Sequence, residues 1–278
     1  MLKIENTEVL GWEHAIRGMR NPMNSWGKSD SCPAVDCGKC GRIEREGHCK
    51  PADHQEECKK YECYEIGPND LDLMKRLRNA GTDHRKFMRM IVVYVDLTAP
   101  LYWWKEFKTY RNGKRYGDEE PDILPIPDDY LEYDIEMNSC STMHKIAAKE
   151  FTLEDFSCEH LIRSPEMGAD EVDIRISPMQ AMLTTIECLN GYRDLFLKTK
   201  DKKYWWQMIQ LLPTSYNQRR TVMLNYEVLA NMYKSRKGHR LDEWKTMLDW
   251  IESLPYSSLI TGKGKIHDET MERDRRKS

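Results

Sequence analysis

Apolar positions along the chain change period several times, and the changes mark its elements. Leu71, Met74 and Leu77 recur at helical spacing after Pro68-Asn69. Asp70 and Asp72 sit in that first turn, Asn69 is read as the N-cap, and Gly81 suits the C′ position. FMRMIVVYVDL, residues 87–97, is rich in β-branched and aromatic residues and predicts a buried strand. Pro100 suits the first helical position of LYWWKEFKTYR. Thr152 with Asp155 forms a capping-box pattern before a short helix. Residues 178–199 predict a long helix, with Ser177 as cap and Pro178 at its first position. Asp201 caps a further helix, KKYWWQMIQLL, which Pro213 follows. QRRTVMLNY predicts a strand, and EVLANMYKSRK and LDEWKTMLDWIESL predict two helices. Residues 1–31 open with a short alternating segment and continue as AIRGMRNPMNSWGKSDS, which has no clean period.

Three segments interrupt this pattern. Residues 32–65 hold Cys32, Cys37, Cys40, Cys49, Cys58 and Cys63 among Gly, Pro, Lys and Glu, with too few apolar side chains for a core of their own. Residues 112–136 are acidic and carry three prolines, as a solvated inserted loop does. The tail, residues 262–278, is polar and charged and is expected to be disordered. The remaining parts, 1–31 and 66–261, are expected to form one domain.

The chain has 278 residues and a formal net charge of −3, so it offers no global basic field for nucleic acid. No run approaches the roughly 18 apolar residues of a membrane span. The first residues lack a basic stretch followed by an apolar one, so a cytoplasmic protein is expected.

In that compartment clustered thiols point to a metal before they point to disulfides. Cys37-Gly-Lys-Cys40-Gly has the form of a metal knuckle, in which two thiolates reach one tetrahedral ion. Two zinc ions could use all six cysteines with His48 and His54, whereas one zinc or one iron–sulfur cluster would use four. The Trp103-Trp104 and Trp205-Trp206 pairs could stack on bases. Adjacent residues point about 100° apart on a helix, so one of each pair is expected in the core.

Asn138-Ser139-Cys140-Ser141-Thr142-Met143 is dense in hydroxyls and amides. It leads into MHKIAAKE, read as a helix whose start could present N–H groups to an anion. Taken alone, Asn225 is an ordinary N-cap and Arg236 a helix-end charge.

Two blocks together resemble the flavin-dependent thymidylate synthase family. Ala99-Pro100 opens a helix that, in the family, leads to an R-H-R triplet and then N-E-x-S-x-R. Here Thr109, Tyr110 and Arg111 stand at the triplet, and Asn138 to Met143 stand at the second part. The other block has Leu212-Pro213, a strand, then Asn225, Asn231 and Arg236 at the family's intervals, with His239 and Trp244 beyond. AIRGMR at residues 15–20 resembles the family's N-terminal segment. The chain departs at Thr109 and Tyr110 for Arg and His, Ser139 for Glu, and Met143 for Arg.

The resemblance implies an α+β fold with helices packed on a mainly antiparallel sheet, carrying the Cys-rich insertion as an addition. It implies reductive methylation of dUMP or a related pyrimidine nucleotide, with FAD as cofactor and NADPH and methylenetetrahydrofolate as co-substrates. It implies a homotetramer. It places flavin against Arg111, Asn138, Asn225 and Asn231, and nucleotide against Ser139, Ser141, Thr142 and Arg236. A histidine near the flavin is expected before the strand, where the chain offers His84 or Arg89. The rival reading is a non-catalytic binding protein of the same fold, with the cysteine segment recruiting a partner.

Overall fold

The computed structural model describes residues 1–35, 62–108, 135–169 and 172–263. Most of the Cys-rich segment, almost all of the acidic loop and the tail beyond Lys263 lie outside the described residues. The chain divides into two compact units. Met1–Glu8, Tyr94–Leu224 and Ser235–Trp250 form the first; Val9–Val93, Asn225–Lys234 and Ile251–Ser278 form the second.

A four-stranded sheet comprises β1 (Lys3–Leu10), β4 (Val92–Pro100), β8 (Asn217–Asn225) and β5 (Glu136–Ser139), in the order β1-β4-β8-β5. Alternation along β4 buries Val93, Val95, Leu97 and Ala99 and leaves Tyr94 exposed. On β8 the buried set is Gln218, Arg220, Val222 and Leu224, while Arg219 and Thr221 are exposed. β5 pairs antiparallel with β8, with Met137 opposite Val222 and Ser139 opposite Arg220. In the first unit, Asp96 of β4 accepts hydrogen bonds from Thr221 (2.6 Å), Asn6 (2.8 Å) and Arg219 (2.7 Å). These bonds, led by that from Thr221, hold its carboxyl well below the usual carboxylate range.

Helices of the first unit cover the buried residues. Leu101–Phe107 is α3, and both of its tryptophans are buried, contrary to the expectation of one. Trp103 packs on Trp244, with ring centroids 5.1 Å apart, while Trp104 donates from Nε1 to the Gln218 carbonyl at 3.0 Å. The helix therefore has neighbours on two sides. The long helix α4 (Pro178–Thr199) and α5 (Lys202–Leu211) start where the local caps predict. Ser177 and Gln180 form a capping box, and Asp201 accepts from the Lys203 N–H. Ile186, Leu189 and Met208 pack with Phe151, Phe156, Ile146 and Ala147. Thr152 and Asp155 form their capping box on a 3-10 turn, Leu153–Asp155.

Residues 143–150 are turns and not the expected helix. The buried residues there, Ile146 and Ala147, are adjacent, so a helix would have no stripe to bury. The predicted strand at 87–97 begins only at Val92. Lys86–Met90 is a 3-10 helix that buries Phe87 and Met88 side by side.

The second unit holds a helix without a sequence expectation, α1 (Trp12–Arg20), whose buried residues are Trp12, Ala15, Ile16, Met19 and Arg20. Gly11 precedes it at φ +91°, and a Cβ there would meet the Met90 carbonyl oxygen at 2.1 Å. Helix α2 (Pro68–Asn79) starts with Gly67 as cap residue and Pro68 in its first turn, so Asn69 lies inside the helix. Its cap comes from elsewhere: Asp30 accepts from the N–H groups of Asn69 (2.9 Å) and Asp70 (3.1 Å). Gly81 follows the helix at φ +112°, as expected of a C′ glycine. Asp70 and Arg20 form a buried pair at 2.6 Å. Ser29 and Ser31 each donate to Asp70 at 2.7 Å.

Strands β2 (Cys32–Val35) and β3 (Glu62–Glu65) pair antiparallel, with Cys32 opposite Glu65 and Ala34 opposite Cys63. A two-stranded ribbon joins β6 (Glu166–Ala169) and β7 (Val172–Ile174). The remaining helices are α6 (Tyr226–Arg236), α7 (Asp242–Ser253) and α8 (Ser258–Thr261). No described helix is long and apolar enough to cross a membrane.

Candidate functional site

In the first unit the segment from Asn138 to Met143 leaves the end of β5 and turns. Neighbouring elements fix it at several points. The Cys140 N–H donates to the Arg219 carbonyl at 3.0 Å. The Gln218 side-chain amide donates to the Cys140 carbonyl at 2.6 Å, and Trp205 Nε1 donates to the Met143 carbonyl at 3.0 Å. Ser141 Oγ accepts from the His144 N–H at 2.9 Å and from the Met143 N–H at 3.3 Å. Asn138, Ser139 and Ser141 are exposed and Thr142 is half-buried. The result is a rigid, hydroxyl-bearing turn at a sheet edge.

Opposite Ser139 in the strand register is Arg220, 7% exposed. Its guanidinium sits 4.2 Å from the centre of the Trp104 ring and donates to Gln218 Oε1 at 2.7 and 3.1 Å. Burial lowers its pKa from the usual arginine value.

Arg236 ends α6 half-buried. It donates to Glu106 at 3.1 Å and lies 4.6 Å from the Trp244 ring centre. Glu106 also accepts from His239 Nε2 at 3.2 Å and Trp244 Nε1 at 3.3 Å. His239 Nδ1 accepts from the Leu241 N–H at 3.1 Å, so in the neutral ring the proton is assigned to Nε2, facing Glu106. Arg236 is thus held in place on an aromatic face and is no solvated helix-end charge.

In the second unit Asn225 is buried and its Oδ1 accepts from the Val228 N–H at 3.0 Å, capping α6. Arg85 donates to Glu227 at 2.7 and 3.0 Å and reaches Asn231 at 3.5 Å. The other Glu227 oxygen is buried without a hydrogen-bond partner.

Of the sequence-derived candidates, Asn138, Ser139, Ser141, Thr142 and Arg236 belong to the first unit, and Asn225 and Asn231 to the second. Arg111, Cys37, Cys40, Cys49 and Cys58 lie outside the described residues. Cys32 is an exposed free thiol, and the register puts Cys63 two residues from its level on the facing strand. Among the described residues no cluster of three or more metal-binding side chains occurs. Sequence reasoning missed Arg85, Glu106, Gln218, Arg220 and Glu227. Arg85 stands between the two alternatives it offered, His84 and Arg89.

No protein-family model matches the sequence, and no curated protein matches it. Solved structures do. Thymidylate synthase X (ThyX) from Helicobacter pylori, with FAD and dUMP, aligns over 94% of this chain and 97% of its own, at 13% identity and a TM-score of 0.53. A second structure of flavin-dependent thymidylate synthase ThyX from that organism, complexed with FAD and dUMP, covers 93% and 97% at 12% identity, again with a TM-score of 0.53. The chain therefore has the ThyX fold, mixing helices with antiparallel sheet. PolB, a UMP/dUMP methylase from Streptomyces cacaoi, covers 81% and 88% at 13% identity, with a TM-score of only 0.42.

Proposed function

We propose that the chain is a flavin-dependent enzyme that methylates dUMP or a related pyrimidine nucleotide. The observation that carries this reading is the ThyX fold over nearly the whole length of both chains. Two local features support it. The turn from Asn138 to Met143 is braced as a preformed ligand edge needs to be. Arg236 is oriented by Glu106 and Trp244, as a nucleotide-reading cation needs to be.

The described residues also suit the ring of a flavin. Arg85 and Glu227 cancel each other's charge, and Glu227 keeps one buried acceptor oxygen without a donor. An uncharged ring with an imide N–H matches that acceptor, and a pyrophosphate does not; Asn231, which Arg85 also reaches, and Asn225 add amide groups on the same helix and at its cap. When bound, the flavin supplies hydride, and NADPH and methylenetetrahydrofolate supply the electrons and the carbon. The protein's part is orientation. Ser139, Ser141 and Thr142 bind the nucleotide by hydroxyls, and Arg236 fixes a second point of it.

In this reading the active form is a homotetramer in the cytoplasm. The six cysteines bind zinc, with an iron–sulfur cluster as the alternative, and the β2–β3 pairing brings the two ends of their segment together. The test of the reaction is conversion of dUMP to dTMP with methylenetetrahydrofolate and NADPH. Methylation that stops when either is withheld supports the proposal. No methylation of dUMP, UMP or dCMP by the flavin-loaded protein overturns it.

A further inference from the structure

Arg220 differs from four other anchored arginines, and it is more buried than Arg78, which the Leu259 and Ile260 carbonyls hold. Arg20 faces Asp70, Arg85 faces Glu227, Arg219 faces Asp96, and Arg236 faces Glu106. Arg220, like Arg20, is buried, yet no carboxylate among the described residues pairs with it. Its contacts are dipoles and soft surfaces: Gln218 Oε1, Met137 Sδ at 3.1 Å, and the face of Trp104. Burying a guanidinium without a counter-charge is unfavourable, and a neutral side chain of similar volume would fill the same space without that cost.

The position of the charge suggests what balances it. Ser139 lies directly opposite Arg220 in the antiparallel register. Directly paired residues leave a sheet on the same face, so Ser139 and Arg220 are side-by-side neighbours there. Ser139 is exposed and Arg220, beside it, is buried. Gln218 links the two features: its carbonyl oxygen end holds Arg220 and its amide end holds Cys140, the next residue of the turn. A group resting on Ser139 and Ser141 therefore sits over a partly desolvated, oriented cation. Where the family resemblance places signature cations, the chain has Thr109, Tyr110 and Met143.

We infer that Arg220 is the counter-charge for the phosphate of a pyrimidine nucleotide bound at the turn from Ser139 to Thr142. This rests on the reading that the chain binds such a nucleotide. Arg220 acts with its Nη groups, and Gln218 is a positioning residue for both it and the turn.

The test is binding of dUMP and of deoxyuridine, which lacks the phosphate, to the full chain and to Arg220→Met. The wild type should prefer dUMP by about tenfold or more, as a charge-assisted contact implies. Arg220→Met should lose that preference while its affinity for deoxyuridine stays the same, and Arg220→Lys should keep part of it. An unchanged preference in Arg220→Met overturns the assignment and leaves nucleotide binding intact. A wild type that binds neither ligand overturns the nucleotide reading and this assignment with it. Should Arg220→Met fail to fold, inorganic phosphate decides on the wild type. A saturable change in tryptophan fluorescence with phosphate, absent with chloride at equal ionic strength, supports the assignment. The same response to both salts overturns it.

Discussion

Arg236 donates to Glu106 at 3.1 Å, and the same carboxylate also takes the His239 and Trp244 donors. The guanidinium is therefore oriented before any ligand arrives, with one side laid on Trp244. In the proposed site, removing Arg236 deletes a contact to the nucleotide, and removing Glu106 leaves the cation without that orienting partner. Arg236→Ala should weaken dUMP binding about 10- to 150-fold, as for a charged hydrogen bond of ~1.5–3 kcal/mol. Glu106→Ala should weaken it less. Titration calorimetry measures both, and unchanged affinity in Arg236→Ala removes Arg236 from the site.

Asn225 has an observed role as a cap and a proposed one at the flavin, and one substitution separates them. Its Oδ1 caps α6 through the Val228 N–H. Ser caps as well as Asn and adds no charge at this buried position, whereas Ala loses about 1 kcal/mol. Asn225→Ser should therefore lose less thermal stability than Asn225→Ala while weakening flavin retention, because the amide donors are gone. Asn225→Ala should lose both. If Asn225→Ser retains flavin as the parent does, Asn225 is a cap alone.

Asp70 ties Arg20, Ser29 and Ser31 together. The serine and arginine hydrogen bonds outweigh burial and lower its pKa below the ordinary 3.8. A depressed folded-state value gives stability that is present above the unfolded value and is lost as pH falls through the folded one. Urea denaturation should show this stability at neutral pH and its loss in acid below about pH 4. Asp70→Ala leaves Arg20 buried and unpaired and should cost about 3–5 kcal/mol at pH 7. It should also flatten the acid dependence. An equal acid loss in the variant assigns that loss to other carboxylates.

The cysteine segment makes a separate prediction. The purified chain should contain about one or two zinc ions, bound by tetrahedral thiolate sites. Strong chelators should release them and lower the thermal midpoint. A metal-free protein with the same midpoint before and after chelation contradicts the zinc reading.

Local signals in the sequence were legible and distant ones were not. Ser177-Pro178 and Asp201 mark their helices because cap and helix are neighbours in the chain. The spacing of Asn225, Asn231 and Arg236 was visible for the same reason. Helix α1 was also written in the chain, in the stripe Trp12, Ala15, Ile16 and Met19, but Gly18 and Asn21-Pro22 broke the apparent period. Asp30 capping α2 could not be read, since the cap is supplied across the whole Cys-rich segment. Nor could the pairing of Glu106 with Arg236, or the burial of both Trp103 and Trp104, which depend on how α3 and α7 meet. Lone charged residues such as Arg220 gain meaning only when their partners, or the lack of a carboxylate, can be seen.

The central claim is flavin chemistry on this fold, and the visible absorption spectrum of the protein purified without air tests it most directly. Flavin bands that NADPH bleaches are the predicted result. A colourless protein that also fails to take up added FAD contradicts the account and leaves a binding protein on the ThyX fold.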